Sequence, residues 1–326
     1  MELPLTDDDE QRFLRDDARK FLDYLNKLPG PTSREAGLEG ARAMLVKSRH
    51  VADLPTGDIA VLRDLSCPGP RGEIALRLYD ARESRDEPGP LLLFFHGGGY
   101  VLGDLETHEP FCAEIARLLD MPVLAVDYRL APEHPFPAGV EDCIAAARWA
   151  AGSPGVLGRQ VDGLVLAGDS AGGNFTIVTA MALRDEPAAV PVLAQWPIYP
   201  AADPGRRHAS FDLYSEGYLL SRDSMAWFDE CYAPDRKDWR NAPLLRSQAG
   251  MPPTLVLTAG ADPIRDQGRA YAAACVHAGV TTVFREARGN IHGFINLRKA
   301  IPSSEDDIVG AVQGLKMLIE EARAGR

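Results

Sequence analysis

Gly168-Asp169-Ser170-Ala171-Gly172 reads G-x-S-x-G. An apolar segment over 161–167 precedes it, and a helix-forming run over 175–183 follows. A serine between glycines, on a sharp turn from strand to helix, is the context of a nucleophile. Gly168 and Gly172 lack a Cβ and tolerate the tight turn. The Ser170 hydroxyl then stands at a helix N-terminus, where free N–H groups favour developing negative charge. The motif alone is weak, because Gly and Ser are ordinary loop residues.

A second group is Phe95-His96-Gly97-Gly98-Gly99-Tyr100, after a buried apolar run. Successive glycines leave backbone N–H groups unshielded, so those of Gly98 and Gly99, with that of Ala171, are candidate donors to an oxyanion. Neither phosphate-cradling glycine pattern occurs. His96 is expected to orient this loop rather than act as a base. Acyl transfer at Ser170 also needs a base and an orienting carboxylate, in the chain order Ser, Asp/Glu, His. His292 sits in Gly289-Asn290-Ile291-His292-Gly293-Phe294, on a loop after the last strand. His277 falls in a helix and reads as solvated, and His208 is a weaker candidate. Asp262 follows an apolar strand and precedes Pro263, at the sheet edge where ligands bind. Asp266 and Glu286 are lesser alternatives, and Asp262 could also cap a helix.

The elements that must position these residues alternate. Continuous apolar runs at 91–95, 122–127, 164–168, 192–199, 254–259 and 280–286 read as strands covered on both faces. Helical segments are expected at about 107–120, 138–151, 172–184, 223–232, 266–279 and 305–322. Segments 58–65 and 73–79 read as an antiparallel edge pair connected by Pro68-Gly69-Pro70. The fold class is therefore α/β: a mostly parallel eight-stranded sheet with helices on both faces. Two helices precede any strand, at 8–27 and from a Thr32-Ser33-Arg34-Glu35 capping box to about Lys47. They are expected to form a cap over residues 1–50; a packing arm or a dimer contact is the alternative. Residues 51–326 form the catalytic domain, and 201–236 is an aromatic-rich insertion expected to complete the cap. Tyr100, Phe211, Tyr218 and Met225 are the candidate pocket residues.

Composition narrows the partners. The 326 residues are 45% hydrophobic and 25% charged, with a formal net charge of −12. Such a surface disfavours nucleic acid and anionic membranes. No apolar run approaches the roughly 20 residues of a membrane span. The acidic N-terminus does not read as a signal peptide. Five scattered cysteines without a C-x-x-C pair read as reduced thiols of a cytoplasmic protein.

His96-Gly97-Gly98-Gly99, the run from Tyr128 to Ala138 (YRLAPEHPFPA), Gly168 to Asn174 (GDSAGGN), Asp262 to Asp266 (DPIRD) and His292-Gly293-Phe294 together resemble the bacterial hormone-sensitive-lipase-like esterases. The resemblance runs from about Leu91 to the end. It implies an α/β-hydrolase fold with a helical cap and a triad of Ser170, Asp262 and His292. It also implies an oxyanion hole of Gly98, Gly99 and Ala171, no metal or cofactor, activity on short-chain acyl esters, and an edge-strand homodimer. Asp169 places the chain with the G-D-S-A-G branch. Two positions depart from the family: Gln267 replaces an acidic residue, expected to alter a surface or neighbouring contact. Asn290 replaces an apolar one, expected to alter polarity beside the base. The expectation is a serine carboxylesterase acting on small-molecule esters. The alternatives are an amidase or deacetylase with the same chemistry, and a non-catalytic ligand receptor on this scaffold.

Overall fold

The computed structural model describes residues 13–325. Eight strands form one sheet in the order β1-β2-β4-β3-β5-β6-β7-β8. They are β1 (Val61–Gly69), β2 (Gly72–Asp80), β3 (Gly89–Phe95), β4 (Val123–Asp127), β5 (Val161–Asp169), β6 (Val192–Ile198), β7 (Thr254–Ala261) and β8 (Thr282–Ile291). β1 pairs antiparallel with β2, and β2 antiparallel with β4; all later pairings are parallel. The expected edge hairpin is present, but β1 runs on through Pro68 to Gly69, and only Pro70 and Arg71 make the turn. A proline is tolerated there because β1 is an edge strand.

The apolar run of β3 shows why the sheet is buried on both sides. Leu91, Leu93 and Phe95 enter one core and Leu92 and Phe94 the other, all fully buried. Successive side chains of a strand point to opposite faces, so a sheet covered by helices on both sides needs apolar residues at every position. Helices α4 (Ala138–Ala151), α5 (Ala171–Asp185) and α8 (Arg265–His277) feed the first core; α3 (Glu109–Leu119) and α9 (Ser304–Ala324) feed the second. β8 departs from expectation. It is an edge strand with Phe284 and Arg285 exposed, and it extends to Ile291, so His292 is the first residue beyond it.

The expected first helix begins before the described residues; within them α1 spans Asp16–Leu25. α2 (Ser33–Ala52) has the predicted capping box. The Thr32 hydroxyl accepts from the Glu35 N–H, and the Thr32 N–H donates to the Glu35 carboxylate at 2.8 Å. It runs five residues past the expected end. The insertion over 201–236 contains α6 (Ala209–Tyr214), not expected from sequence, and α7 (Arg222–Tyr232). α2 packs on α7, with Arg34 paired to Asp223 at 3.0 Å and Glu230 at 2.9 Å. α1 packs on β8, where Leu14, Ala18 and Leu22 join Tyr214, Ala261 and Ile291 in a third apolar cluster.

Candidate active site

Ser170 sits between the last residue of β5 and the first of α5, at φ 56° and ψ −115°. That conformation costs free energy in a non-glycine residue and persists only where surroundings enforce it. Here the Ser170 N–H donates to the Ile198 carbonyl at 2.9 Å, and the Ser170 carbonyl accepts from Asn174 and Ala201. A Cβ on Gly172 would collide with the Phe95 carbonyl, and one on Gly168 with the Gly172 and Phe95 carbonyl oxygens. The turn is closed too tightly for any side chain but hydrogen.

The structure brings Ser170, His292 and Asp262 together from three different loops. His292 Nε2 lies 2.9 Å from Ser170 Oγ, and Nδ1 lies 2.7 Å from Asp262 Oδ2. A carboxylate only accepts, so Nδ1 carries the ring proton and the Nε2 lone pair faces the hydroxyl. The other Asp262 oxygen accepts the Ile264 N–H at 2.8 Å, just ahead of α8. Asp262 therefore steadies the helix entrance while facing the imidazole, without being the cap residue itself. Asp262 is fully buried and His292 nearly so; the Tyr199 ring covers the imidazole at 4.6 Å between centroids.

The alternatives are engaged elsewhere. Asp266 pairs with Arg265 at 2.9 Å and accepts the Ser210 N–H, and Glu286 pairs with Arg269 at 2.8 Å. His277 is exposed at the end of α8, and His208 pairs with Asp203 at 3.0 Å.

The glycine loop lies beside Ser170. Gly98 and Gly99 have φ of 122° and 61°, and a Cβ on Gly98 would strike the Leu102 carbonyl. Among the described residues, the N–H groups of Gly98, Gly99 and Ala171 have no hydrogen-bond partner. His96 is buried behind them, with Nδ1 2.8 Å from the Gly97 carbonyl and its ring stacked on Tyr128 at 4.2 Å. The Tyr128 hydroxyl donates to the His96 carbonyl at 2.6 Å. Burial, then the neighbouring His108, lower the His96 pKa to about 4, so its ring stays neutral.

Two residues here, Phe228 and Tyr232, are not among the candidate pocket residues read from the sequence. Phe228, on α7, covers Gly99 so closely that a Cβ there would land in its ring. Tyr100 stacks on Tyr232 at 3.9 Å, with φ 67°. The insertion's aromatic composition was the only signal for Phe228 and Tyr232. Of the other candidate pocket residues, Phe211 lies under the Arg222 guanidinium at 4.7 Å, Tyr218 packs edge-on to Tyr214, and Met225 is half-buried on α7. A cavity of about 440 Å³ lies outside the loop, lined by Arg42, Asp104, Asp127, Arg129 and Glu133 among others, and includes no residue of the Ser170 cluster. Its charged side chains suit solvent better than an acyl chain.

The two family departures also have defined places. Gln267 is buried rather than on the surface, and its side-chain oxygen accepts the Asp203 N–H at 2.9 Å. Asn290 donates to Ser304 at 3.0 Å and to Asp307, toward the start of α9, and has no hydrogen bond to His292. Among the described residues, no group of three His, Cys, Asp or Glu side chains is arranged to hold a metal.

Fold and site together define a class. A family model described as alpha/beta hydrolase fold matches residues 92–296, and the chain belongs to that family, in its hormone-sensitive-lipase-like branch. A carboxylic ester hydrolase, LipN, of Mycobacterium tuberculosis is 43% identical over 294 residues, covering 85% of this chain and 77% of that protein. An ethyl acetate hydrolase of Pseudomonas putida is 37% identical over 250 residues, covering 74% of this chain and 78% of that protein. An ester hydrolase from the metagenome of Lake Arreo, solved with a derivative of bipyridine phosphonate, superposes with a TM-score of 0.88 at 36% identity. That match covers 93% of this chain and 98% of the other.

Proposed function

We propose that Ser170, His292 and Asp262 are the working triad of this carboxylesterase, and that Gly98, Gly99 and Ala171 supply its oxyanion hole. The observation that carries this reading is the pair of contacts made by one imidazole, to Ser170 Oγ at 2.9 Å and to Asp262 at 2.7 Å. His292 takes the hydroxyl proton as Ser170 Oγ attacks the ester carbonyl carbon. The carbonyl π pair moves onto oxygen, where the three uncommitted N–H groups receive it. One such donor is worth about 3 kcal/mol in the transition state. Asp262 holds the imidazole in the correct tautomer and stabilises the imidazolium. The tetrahedral intermediate collapses, the alcohol leaves with the proton from Nε2, and an acyl-Ser170 ester remains. Water, deprotonated by the same nitrogen, then hydrolyses that ester and restores Ser170.

The substrates are small esters with short acyl chains. The fit of Phe228 over Gly99 supports this, since it leaves little room beside the loop, and so does the name of the ethyl acetate hydrolase relative. α1, α2, α6 and α7 serve as the cap, supported by the packing of α2 on α7 next to that loop. The enzyme works in a reducing compartment such as the cytoplasm, a reading favoured by five free cysteines, four of them buried. Pairing of exposed β8 edges in a homodimer fits the open side of that strand.

Ser170→Ala should lower kcat on p-nitrophenyl acetate by about 10⁴-fold or more without changing the thermal midpoint. His292→Asn should do nearly as much, and His277→Asn should act like the parent. Retained turnover in Ser170→Ala, or a reversal of the two histidine variants, would refute the assignment. Turnover of acetyl anilides at rates matching acetyl esters would move the substrate class to amides.

A further inference from the structure

We infer that His108 is a positioning residue for the ester reaction: paired with Asp169, it balances a buried carboxylate that fixes the oxyanion loop to the nucleophile turn. The inference rests on the roles given above to Ser170 and the glycine loop.

Asp169 is the residue before Ser170, and its side chain is buried. Its Oδ1 accepts the Gly97 N–H at 2.7 Å. Gly97 immediately precedes the two glycines whose N–H groups face the site. The carboxylate lies so close to Gly97 that a Cβ there would collide with it. The Tyr199 hydroxyl donates to the other oxygen at 3.3 Å. One side chain thus ties the loop after β3 to the end of β5. This tie carries a full negative charge beside the place where the oxyanion forms. Unbalanced, that charge would oppose the reaction it helps to organise.

His108, immediately before α3, supplies the balance. Its Nε2 lies 3.2 Å from Asp169 Oδ1, and the ring is equally buried. The approach is within ion-pair distance but off ideal hydrogen-bond alignment, and Nε2 has no better partner among the described residues. The far side of the ring is held by Thr107, whose Oγ1 lies 2.9 Å from His108 Nδ1 and accepts the Asp104 N–H at 2.9 Å. An ionised Asp169 can only accept, so Nε2 presents its N–H to the carboxylate. The ring is thus fixed between Thr107 and Asp169, with the His96 ring 5.6 Å away between centroids. Burial raises the Asp169 pKa, but attraction to His108 and the hydrogen bonds outweigh it and hold the carboxyl below its usual range.

The test compares His108→Gln, Asp169→Asn and the double variant. Readouts are kcat and KM on p-nitrophenyl acetate, and the rate of covalent inactivation by diethyl p-nitrophenyl phosphate. An asparagine at 169 can still accept the Gly97 N–H but brings no charge. His108→Gln should lose about tenfold or more in kcat and in inactivation rate, with KM changed less than about threefold. In the Asp169→Asn background, adding His108→Gln should cost less than about threefold, because no charge remains to balance. Near-parental kcat in His108→Gln, or a further tenfold loss on adding it to Asp169→Asn, would overturn the inference. The second comparison decides the matter if His108→Gln alone does not fold. Failure of the organophosphate to label Ser170 in the parent enzyme would instead refute the triad. Labelling of both parent and His108→Gln at one rate would refute only the role of His108.

Discussion

His96 and His292 show how the same side chain is put to different work by its surroundings. His292 has a carboxylate on one nitrogen and a hydroxyl on the other, the arrangement of a base. His96 lies behind the glycine loop, buried and neutral, with a pKa lowered to about 4. Its unfolded value is near 6.5. The unfolded chain therefore binds more protons than the folded one between about pH 6.5 and pH 4, and stability from this residue falls as pH falls through that window. The urea midpoint should drop between pH 7 and pH 4.5, and drop less in His96→Asn, although that variant starts from a lower stability. Equal pH slopes in parent and variant would show that the loss originates elsewhere.

Among the elements, α7 is the one we propose to govern substrate choice, because Phe228 on it lies against Gly99. Its capping box is formed by Ser221 and Ser224, and Arg34 of α2 anchors it through Asp223 and Glu230. Phe228 is then held over Gly99. Exposed ion pairs of this kind are each worth little, at most about 1 kcal/mol, so apolar packing does most of the holding. Trp227, nearly buried, packs beside Phe228 and into the main core. Phe228→Ala should open the approach to the loop. The ratio of kcat/KM for octanoyl over acetyl esters should rise by about tenfold, in line with the 1–3 kcal/mol typical of an apolar pocket contact. An unchanged ratio across acetyl, butyryl and octanoyl esters would place the length limit elsewhere.

At the scale of the molecule, one buried ion pair joins the end of the N-terminal helices to the segment before α9. Arg298 Nε lies 2.8 Å from Asp53 Oδ1, both side chains are almost wholly buried, and 245 residues separate them. The backbone N–H groups of Lys299 and Ala300 donate to the Ala52 carbonyl alongside. Arg298→Met should cost about 3–5 kcal/mol, because Asp53 is left charged and alone. Asp53→Asn combined with Arg298→Met should cost less than the arginine change by itself. Urea unfolding of the three proteins would measure this, and a double variant less stable than Arg298→Met would contradict the charge argument.

The strand runs, the turn around Ser170 and the order Ser170, Asp262, His292 could be read along the chain because each depends on neighbours in sequence. An apolar run at every position reports burial on both faces, and small residues around a serine report a tight turn. Relations between distant segments left no such trace. The chain has no local mark of the pairing of His108 with Asp169, the seat of Phe228 on Gly99, or the turning of Asn290 toward Ser304. The β8 run reads as doubly covered, because its place at the sheet edge follows from strand order, which local hydrophobicity does not encode. Periodicity and turn chemistry are properties of consecutive residues. Charge balance and pocket walls arise only when the sheet has brought remote loops to one rim, where burial gives each contact its strength.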